Sequence, residues 1–134
     1  MPCPFCDRIA SGPLDAENEL AVAFADAFPL SPGHMLIIPR RHVEDYFALD
    51  EAEQAAIWQL VSQVRTRLDA ERHPDGYNLG VNVGEAAGQT VAHAHVHLIP
   101  RYAGDVPDPR GGIRWLLAEK AKYWEGGRRG RECG

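Results

Sequence analysis

Three histidines occupy every second position of one short segment, TVAHAHVHLIPR, which spans residues 90–101. They are His93, His95 and His97, half of the six histidines in the chain. The segment is rich in apolar and β-branched residues, a composition typical of a β-strand, in which alternate side chains lie on one face. We therefore predict that the three imidazoles project together from a strand. The alternate residues, predicted to lie on the opposite face and pack on the core, are Ala94, Val96 and Leu98.

Three explanations compete for this cluster of imidazoles. Three rings can hold a catalytic zinc ion, but metal hydrolases of that kind usually add a nearby carboxylate, and none lies between Gly88 and Arg101. A neutral imidazole can instead attack phosphorus and form a phospho-histidine that water later hydrolyses. His95, the central ring, is then the natural nucleophile, and His97 can donate hydrogen bonds to phosphate oxygens. A chance cluster is the third explanation, but burying three adjacent imidazoles without a function is costly.

Two of the three cysteines, Cys3 and Cys6, form a C-x-x-C motif. This spacing lets two thiolates hold one tetrahedral metal ion, which needs two further ligands from elsewhere in the chain. Free thiols are the alternative. Cys133, in the segment GGRRGRECG, is predicted to be a spare exposed thiol.

The segments around the histidines predict a mainly antiparallel sheet. Leu20 to Ala25 and His34 to Arg40 are predicted strands joined by a loop rich in proline, the pattern of a hairpin. The segment YNLGVNV, residues 77–83, alternates large apolar residues with asparagine and glycine and then leads through a loop into the histidine strand. Those two strands are therefore predicted to pair antiparallel.

One long amphipathic helix is predicted between the hairpin and the YNLGVNV strand. Asp50 and Glu53 form a D-x-x-E capping signal at its start, and HPDG ends it. Shorter helices are predicted over Phe5 to Ala10 and Leu116 to Tyr123. The apolar residues at helical spacing in the long helix are Ile57, Leu60, Val61, Val64 and Leu68.

The bulk properties favour one globular domain, which we place at residues 1–125, with a disordered tail at 126–134. Fourteen lysines and arginines against nineteen acidic residues give a net charge of −5, which argues against general nucleic-acid binding. No apolar run is long enough to cross a bilayer, and MPCPFCDRIA lacks the regions of a signal peptide. These features predict a cytoplasmic protein that does not bind membranes, in which cysteines serve as thiols or metal ligands.

Four blocks of the sequence together resemble the histidine-triad (HIT) family. AGQTVAHAHVHLIPR is similar to the family signature, His-φ-His-φ-His with an apolar residue at φ. CPFCDRIASG, FADAFPLSPGHMLIIPRRH and NLGVNVGEAAGQTV resemble the blocks that precede this signature in bacterial members. The related nucleotidyl-transferase branch carries Gln at the third histidine position, where this chain has His97. The resemblance therefore points to the hydrolase branch.

The resemblance implies an α+β fold with an antiparallel sheet of about five strands, one long helix and a short N-terminal helix. It also implies a hydrolase of dinucleoside polyphosphates or nucleoside phosphoramidates that works through a nucleotidyl-histidine, with no catalytic metal or organic cofactor. HIT proteins are typically homodimers through the long helix and the adjacent strand, where Trp58 is either an interface anchor or a core residue. The alternative is a nucleotide-binding or scaffolding protein in which hydrolysis is incidental.

The resemblance further implies roles for individual residues. Asp26 stands at the position that contacts the ribose, where family members usually have Asn. The other implied substrate contacts are Asn82, Gln89 and Thr90, and the implied catalytic residues are His34, His93, His95 and His97. Certain bacterial members complete a zinc site with a histidine after the IIPRRH strand and with the first histidine of the triad. A structural zinc is thus predicted at Cys3, Cys6, His42 and His93.

Overall fold

The computed structural model describes residues 2–126. The chain divides into two compact units, one ending at Arg101 and the other beginning at Tyr102, and each is described by itself. Residues 127–134, which include Cys133 and nearly all of the predicted tail, lie outside the described residues. None of the helices in the described part is both long enough and apolar enough to span a bilayer.

The first unit contains a five-stranded sheet in the order β1-β2-β3-β5-β4, in which every neighbouring pair is antiparallel. This confirms the predicted α+β fold, the hairpin and the pairing of the last two strands. The two-residue strand β1 was not predicted, because it is too short to show an alternating pattern. The strands are β1 (Ala16–Glu17), β2 (Ala21–Ala25), β3 (Met35–Pro39), β4 (Gly76–Val81) and β5 (Val96–Arg101).

Two α-helices accompany the sheet, α1 (Pro4–Ser11) and α2 (Glu51–Arg72). Helix α2 begins with the predicted capping box, in which Asp50 accepts from the Glu53 amide and Glu53 accepts from the Asp50 amide. It ends at Arg72, and His73, the first residue of HPDG, caps it with a left-handed backbone. The predicted long helix and the predicted short N-terminal helix are both confirmed.

The two helices lie on opposite faces of the sheet, and this arrangement decides where a site can form. Helix α2 packs its apolar residues against one face, together with Val96 and Leu98 of β5. Helix α1 contributes Phe5 to the cluster on the other face, which includes Leu36 of β3. His97 is directly paired with Leu36, and residues paired across antiparallel strands share a face. His97 therefore lies on the α1 face of the sheet.

The prediction that all three imidazoles project from one strand is wrong. Strand β5 begins at Val96, so only His97 belongs to it, whereas His93 and His95 stand in the bend that precedes it. At this bend a group distant in sequence satisfies the backbone in place of a strand ladder: the Ala94 amide donates to the Val43 carbonyl. The expected burial of the alternate residues is confirmed for Ala94, Val96 and Leu98.

The second unit consists of 3-10 segments over Gly112–Lys120 and Tyr123–Gly126. The helix predicted from Leu116 to Tyr123 forms only as parts of these 3-10 segments, because the backbone at Leu117 leaves helical geometry. The Arg114 guanidinium donates to the Lys120 carbonyl in the same unit. Two aromatic residues of the same unit are covered by arginines, Trp124 by Arg110 and Tyr123 by Arg114.

Gly33 immediately precedes His34 and provides a test of how the hairpin loop is held. Its φ is +91°, and an added Cβ would lie 2.8 Å from Arg72 Cδ and 3.0 Å from Leu68 Cδ2. We expect Gly33→Ala to lower the free energy of unfolding by about 1–3 kcal/mol, since it combines backbone strain with a close contact. Gly76→Ala, where an added Cβ meets nothing within 4 Å, is the matched control. Equal denaturation midpoints for the two variants would contradict this account.

Candidate active site and metal centre

A cavity of about 390 Å³ opens on the α1 face of the sheet. One wall is aromatic and apolar, with Phe5 from α1 and Phe24 from β2, and the other carries two of the three signature histidines, His95 and His97. The polar lining residues that the sequence pointed to are Asp26, Asn82 and Thr90. A small apolar cleft with a few converging polar groups is the usual form of a small-molecule site.

His95 is held in one tautomer by a single hydrogen bond. Its Nδ1 lies 2.8 Å from the His93 carbonyl oxygen. Because a carbonyl can only accept, Nδ1 must carry the hydrogen, and the Nε2 of the neutral ring keeps its lone pair. The ring is 7% exposed, and the edge of Phe5 packs against it with centroids 5.0 Å apart. His95 thus combines a fixed orientation with a basic nitrogen on a ring that lines the cavity.

A second chain of hydrogen bonds fixes the tautomer of His97. The Leu30 amide donates to His34 Nδ1 at 3.0 Å, so Nε2 of neutral His34 carries the hydrogen. That nitrogen lies 3.0 Å from His97 Nδ1, which must therefore accept. The hydrogen of neutral His97 is left on Nε2, where it can be donated to a ligand in the cavity.

His34 and His97 are kept neutral by their surroundings. Burial, with a further contribution from the neighbouring His95 and His34, lowers the pKa of His97 to about 4, although the Asp26 carboxylate opposes the shift. Burial likewise lowers the pKa of His34, again against Asp26. The Asp26 carboxylate lies 3.5 Å from His34 Nε2 and 3.9 Å from His97 Nδ1. Both rings are therefore neutral near pH 7, and each can donate a hydrogen bond through its Nε2.

Three residues expected at the site, His34, Gln89 and His93, lie outside the cavity lining, and His34 reaches it only through its bond to His97. Gln89 braces its own loop: its amide nitrogen donates to the carbonyls of Glu44 and Val91, and its oxygen accepts from the Gly84 amide. His93 is fully buried, and its Nε2 lies 2.8 Å from the Pro39 carbonyl. His93 thus meets the cavity only through the carbonyl that orients His95.

Four side chains converge on the other side of His93. The Cys3 and Cys6 sulfurs each lie 3.6 Å from His93 Nδ1, and the Cys6 sulfur lies 3.3 Å from His42 Nδ1. All four ligand atoms lie within 4.8 Å of one another. Zinc bonds of about 2.3 Å to sulfur and 2.0–2.1 Å to nitrogen place sulfur and nitrogen roughly 3.6 Å apart around a tetrahedral ion. The donor set and its spacing therefore fit zinc.

The tautomer of His93 suits the same purpose. Its Nε2 hydrogen is donated to the Pro39 carbonyl, so Nδ1 keeps a lone pair directed at the two sulfurs. Two cysteines and two histidines fill all four tetrahedral positions, which is the composition of a structural centre; a catalytic centre keeps one position open for water. The structure thus brings together Cys3, Cys6, His42 and His93 as predicted.

Sequence reasoning missed three residues of α1 that line the cavity, Pro4, Phe5 and Arg8. They lie in the same short segment as the cysteines, at positions that show no motif of their own. The available signal was helical periodicity: if the cysteines direct one side of α1 to the metal centre, the other side is free to form a wall. Helix α1 therefore contributes to the wall of the cavity as well as to the candidate metal centre.

Residues 15–104 match the family model described as the HIT domain. The match covers more than half of the chain, and the chain therefore belongs to the HIT family. An uncharacterized HIT-like protein of Mycoplasma genitalium is 41% identical over 104 residues, which make up 75% of this chain and 73% of that protein.

Two relatives carry names that state an activity. An AP-4-A phosphorylase of Mycobacterium tuberculosis is 33% identical over 91 residues, which are 67% of this chain and 47% of that protein. A bifunctional bis(5'-adenosyl)-triphosphatase/adenylylsulfatase of Arabidopsis thaliana is 32% identical over 124 residues, which are 87% of this chain and 68% of that protein. The family thus includes proteins named for splitting nucleotides with phosphate or with water.

Among solved structures, a zinc-bound histidine triad family protein from Mycobacterium smegmatis matches with a TM-score of 0.70 and 30% identity. The match covers 92% of this chain and 96% of that chain. A zinc ion is therefore compatible with this fold in a protein of nearly the same extent.

The lowered pKa of His97 makes stability depend on pH in a defined direction. The fold favours the neutral ring, so this contribution is present above about pH 6.5, the unfolded value, and is lost as pH falls toward about 4. Between about pH 7.5 and 5 we expect wild type to lose roughly 1–2 kcal/mol more unfolding free energy than His97→Gln. Urea denaturation of both proteins, each loaded with zinc, measures the difference. Parallel pH dependences would show that His97 is not kept neutral by the fold.

Proposed function

We propose that this protein is a nucleotide hydrolase that cleaves the bond between a nucleoside monophosphate and a leaving group, through a nucleotidyl-histidine on His95. Candidate substrates are dinucleoside polyphosphates and nucleoside phosphoramidates. The observation that carries the proposal is the 2.8 Å bond from His95 Nδ1 to the His93 carbonyl, which leaves an Nε2 lone pair on a cavity-lining ring. A binding protein needs no such activated nitrogen.

The proposed reaction has two displacements at the α-phosphorus. His95 Nε2 attacks, a phosphorus–nitrogen bond forms, and the bond to the leaving oxygen or nitrogen breaks while His97 Nε2 donates a hydrogen bond to that atom, which takes its proton from solvent water. A second water then attacks the same phosphorus and loses a proton to solvent, the phosphorus–nitrogen bond breaks, and His95 and the nucleoside monophosphate are released. The tautomers described above support both roles, since His97 starts with its hydrogen on Nε2.

The binding roles follow from the lining of the cavity. We assign the ribose hydroxyls to the Asp26 carboxylate and the phosphate oxygens to Asn82 and Thr90, all of which line the cavity with His95 and His97. A carboxylate accepts hydrogen bonds from hydroxyls, so Asp26 can replace the Asn usual in the family. Gln89 is better assigned to holding the loop, because its amide is bonded to three backbone groups.

The metal centre has a structural role in this proposal. Cys3, Cys6, His42 and His93 would hold a zinc ion that joins α1 to the segment preceding β5. Bound zinc supplies only cross-linking, because a complete protein shell leaves no position for water or substrate. The ion would hold Phe5 against His95 and the His93 carbonyl under His95 Nδ1.

Two functions other than hydrolysis are compatible with the same geometry. In a phosphorylase, inorganic phosphate replaces water in the second displacement, and the relative named AP-4-A phosphorylase makes this acceptor worth testing. In a scaffolding protein, turnover would be incidental. We favour water as the acceptor because the chain has His97 at the position where the nucleotidyl-transferase branch carries Gln.

We further propose that the protein is a cytoplasmic homodimer. Strand β4 is an edge of the sheet, and Leu79 on that strand is 41% exposed beside a groove formed with α2. Trp58 on α2 is 39% exposed and donates to the Tyr46 hydroxyl, so it is not a core residue. An edge strand with an exposed leucine, together with an exposed tryptophan on α2, is suited to pairing with a second copy.

The first test of the hydrolase proposal removes the nucleophile. His95→Ala should lose more than about 99% of turnover on an adenosine or guanosine phosphoramidate while still binding the nucleoside monophosphate, because binding is shared among many groups. Mass spectrometry of acid-sensitive adducts should find the nucleotidyl group on wild type only. His73→Asn, which changes another histidine at the end of α2, is the control. If His95→Ala keeps more than about a hundredth of the wild-type rate, the assignment is wrong.

The second test separates a structural from a catalytic metal. The double variant Cys3→Ser, Cys6→Ser should lose bound zinc and several degrees of melting temperature, yet retain measurable hydrolysis, because the nucleophile is not a ligand. Elemental analysis, thermal melts and activity are measured on the same samples. Asp7→Ser, an exposed position on the same helix, is the control. The structural role would be refuted by zinc that stays in the double variant, or by activity that requires zinc in a protein that is still folded.

A further inference from the structure

Arg8 is the one lysine or arginine among the residues that line the cavity. It lies in the last turn of α1, and its guanidinium carbon stands 4.8 Å from the centre of the Phe24 ring. Within residues 2–126 no hydrogen bond or ion pair engages this guanidinium, whereas Arg40, Arg41 and Arg65 in the same unit are each paired with a carboxylate. The Arg8 donors are therefore available to a ligand.

A row of aromatic rings separates Arg8 from the nucleophile. The Phe5 ring is 5.0 Å from His95 and 5.6 Å from Phe24, and Arg8 lies over Phe24. A phosphate held by His95 and His97 thus lies beside this aromatic wall, and Arg8 lies at the end of the wall that is farther from the phosphate. A planar, apolar group with hydrogen-bond acceptors on its edge fits that end of the cavity, and a nucleobase has this chemistry.

We propose that Arg8 makes this cavity selective for guanine nucleotides, a proposal that rests on the hydrolase function above. Guanine presents two adjacent acceptors, O6 and N7, to the parallel N–H donors of one guanidinium. Adenine has an amino group in place of O6, so two donors would face each other. Arg8, placed over Phe24, has a fork of donors at the edge of the base-binding wall.

The test compares three phosphoramidates that differ only in the base: guanosine, inosine and adenosine. Hypoxanthine, the base of inosine, keeps O6 and N7 but lacks the guanine amino group, so it isolates the contact assigned to Arg8. In wild type we expect kcat/KM for guanosine and inosine to exceed that for adenosine by roughly 5- to 100-fold.

Variants at Arg8 assign the preference to this side chain. Arg8→Met should bring the three values of kcat/KM to within about threefold, chiefly through a higher KM for guanosine and inosine. Arg8→Lys keeps the charge but loses the fork, so it should also lose the preference, and it tests the idea if the Met variant is unstable. Arg67→Met, on the far helix α2, should leave all values unchanged. Equal turnover of the three substrates by wild type, a preference that persists in both variants, or equal losses on all three substrates would overturn the proposal.

A binding measurement separates this proposal from the hydrolase function. Calorimetry with GMP, IMP and AMP on zinc-loaded His95→Ala protein needs no turnover, and we expect the first two to bind more tightly, with the difference abolished by adding Arg8→Met. If this binding preference is found and the wild-type protein hydrolyses none of the conjugates, the hydrolase is rejected and the guanine site is kept. Equal affinities for the three monophosphates in an active hydrolase would reject the guanine site alone.

Discussion

The hydrogen bond from His95 Nδ1 to the His93 carbonyl is the interaction on which the rest of the site depends. It sets which nitrogen of His95 is basic, and it can form only because the chain bends between His93 and the start of β5. The bend is itself held from outside, by the Ala94 amide on the Val43 carbonyl and by the His93 ring on the Pro39 carbonyl. A regular strand through the three histidines would lose this bond, since strand carbonyls point toward neighbouring strands.

Helix α1 contributes both to the candidate metal centre and to the cavity wall, although only the first of these shows a motif in the sequence. Its cysteines face the metal centre, and its Phe5 and Arg8 form a wall of the cavity. Phe5 contacts both His93 and His95, with ring centroids 6.0 Å and 5.0 Å apart. Because eight residues bury little apolar surface, a helix of this length depends on tertiary contacts to keep its place. The cluster of Cys3, Cys6, His42 and His93 supplies such a contact at the start of α1, beside Phe5.

The sequence predicted those features whose signals are local. Helix α2 carried its own capping box and apolar periodicity, and the hairpin carried alternation on both sides of a proline-rich loop. The start of β5 was not predictable in this way, because alternation of His with apolar residues is the same in a strand and in a bend held by side chains. The tautomers were also beyond reach, because they depend on carbonyls and amides that are distant in sequence, such as those of Pro39 and Leu30.

The site residues also divide into those that a sequence signal identified and those whose role depends on groups distant in sequence. The resemblance to a known signature identified the signature histidines, Asp26 and the four candidate metal ligands, and the structure brings these groups together. Gln89 was expected beside the phosphate, but its amide bonds to backbone groups that only the folded loop supplies. Arg8 carried only the weak signal of helical periodicity, because an arginine on a short helix resembles any solvated charge until the position of Phe24 is known.

His93 is held twice, and the two restraints act through different atoms. The Pro39 carbonyl restrains Nε2, whereas the cysteines approach Nδ1. A lineage that lost both cysteines would therefore still inherit the backbone bend and the carbonyl that orients His95, provided that apolar packing took over the anchoring of α1. The cysteine pair is in this sense separable from the backbone bend, because its loss would leave the Pro39 restraint on His93 in place.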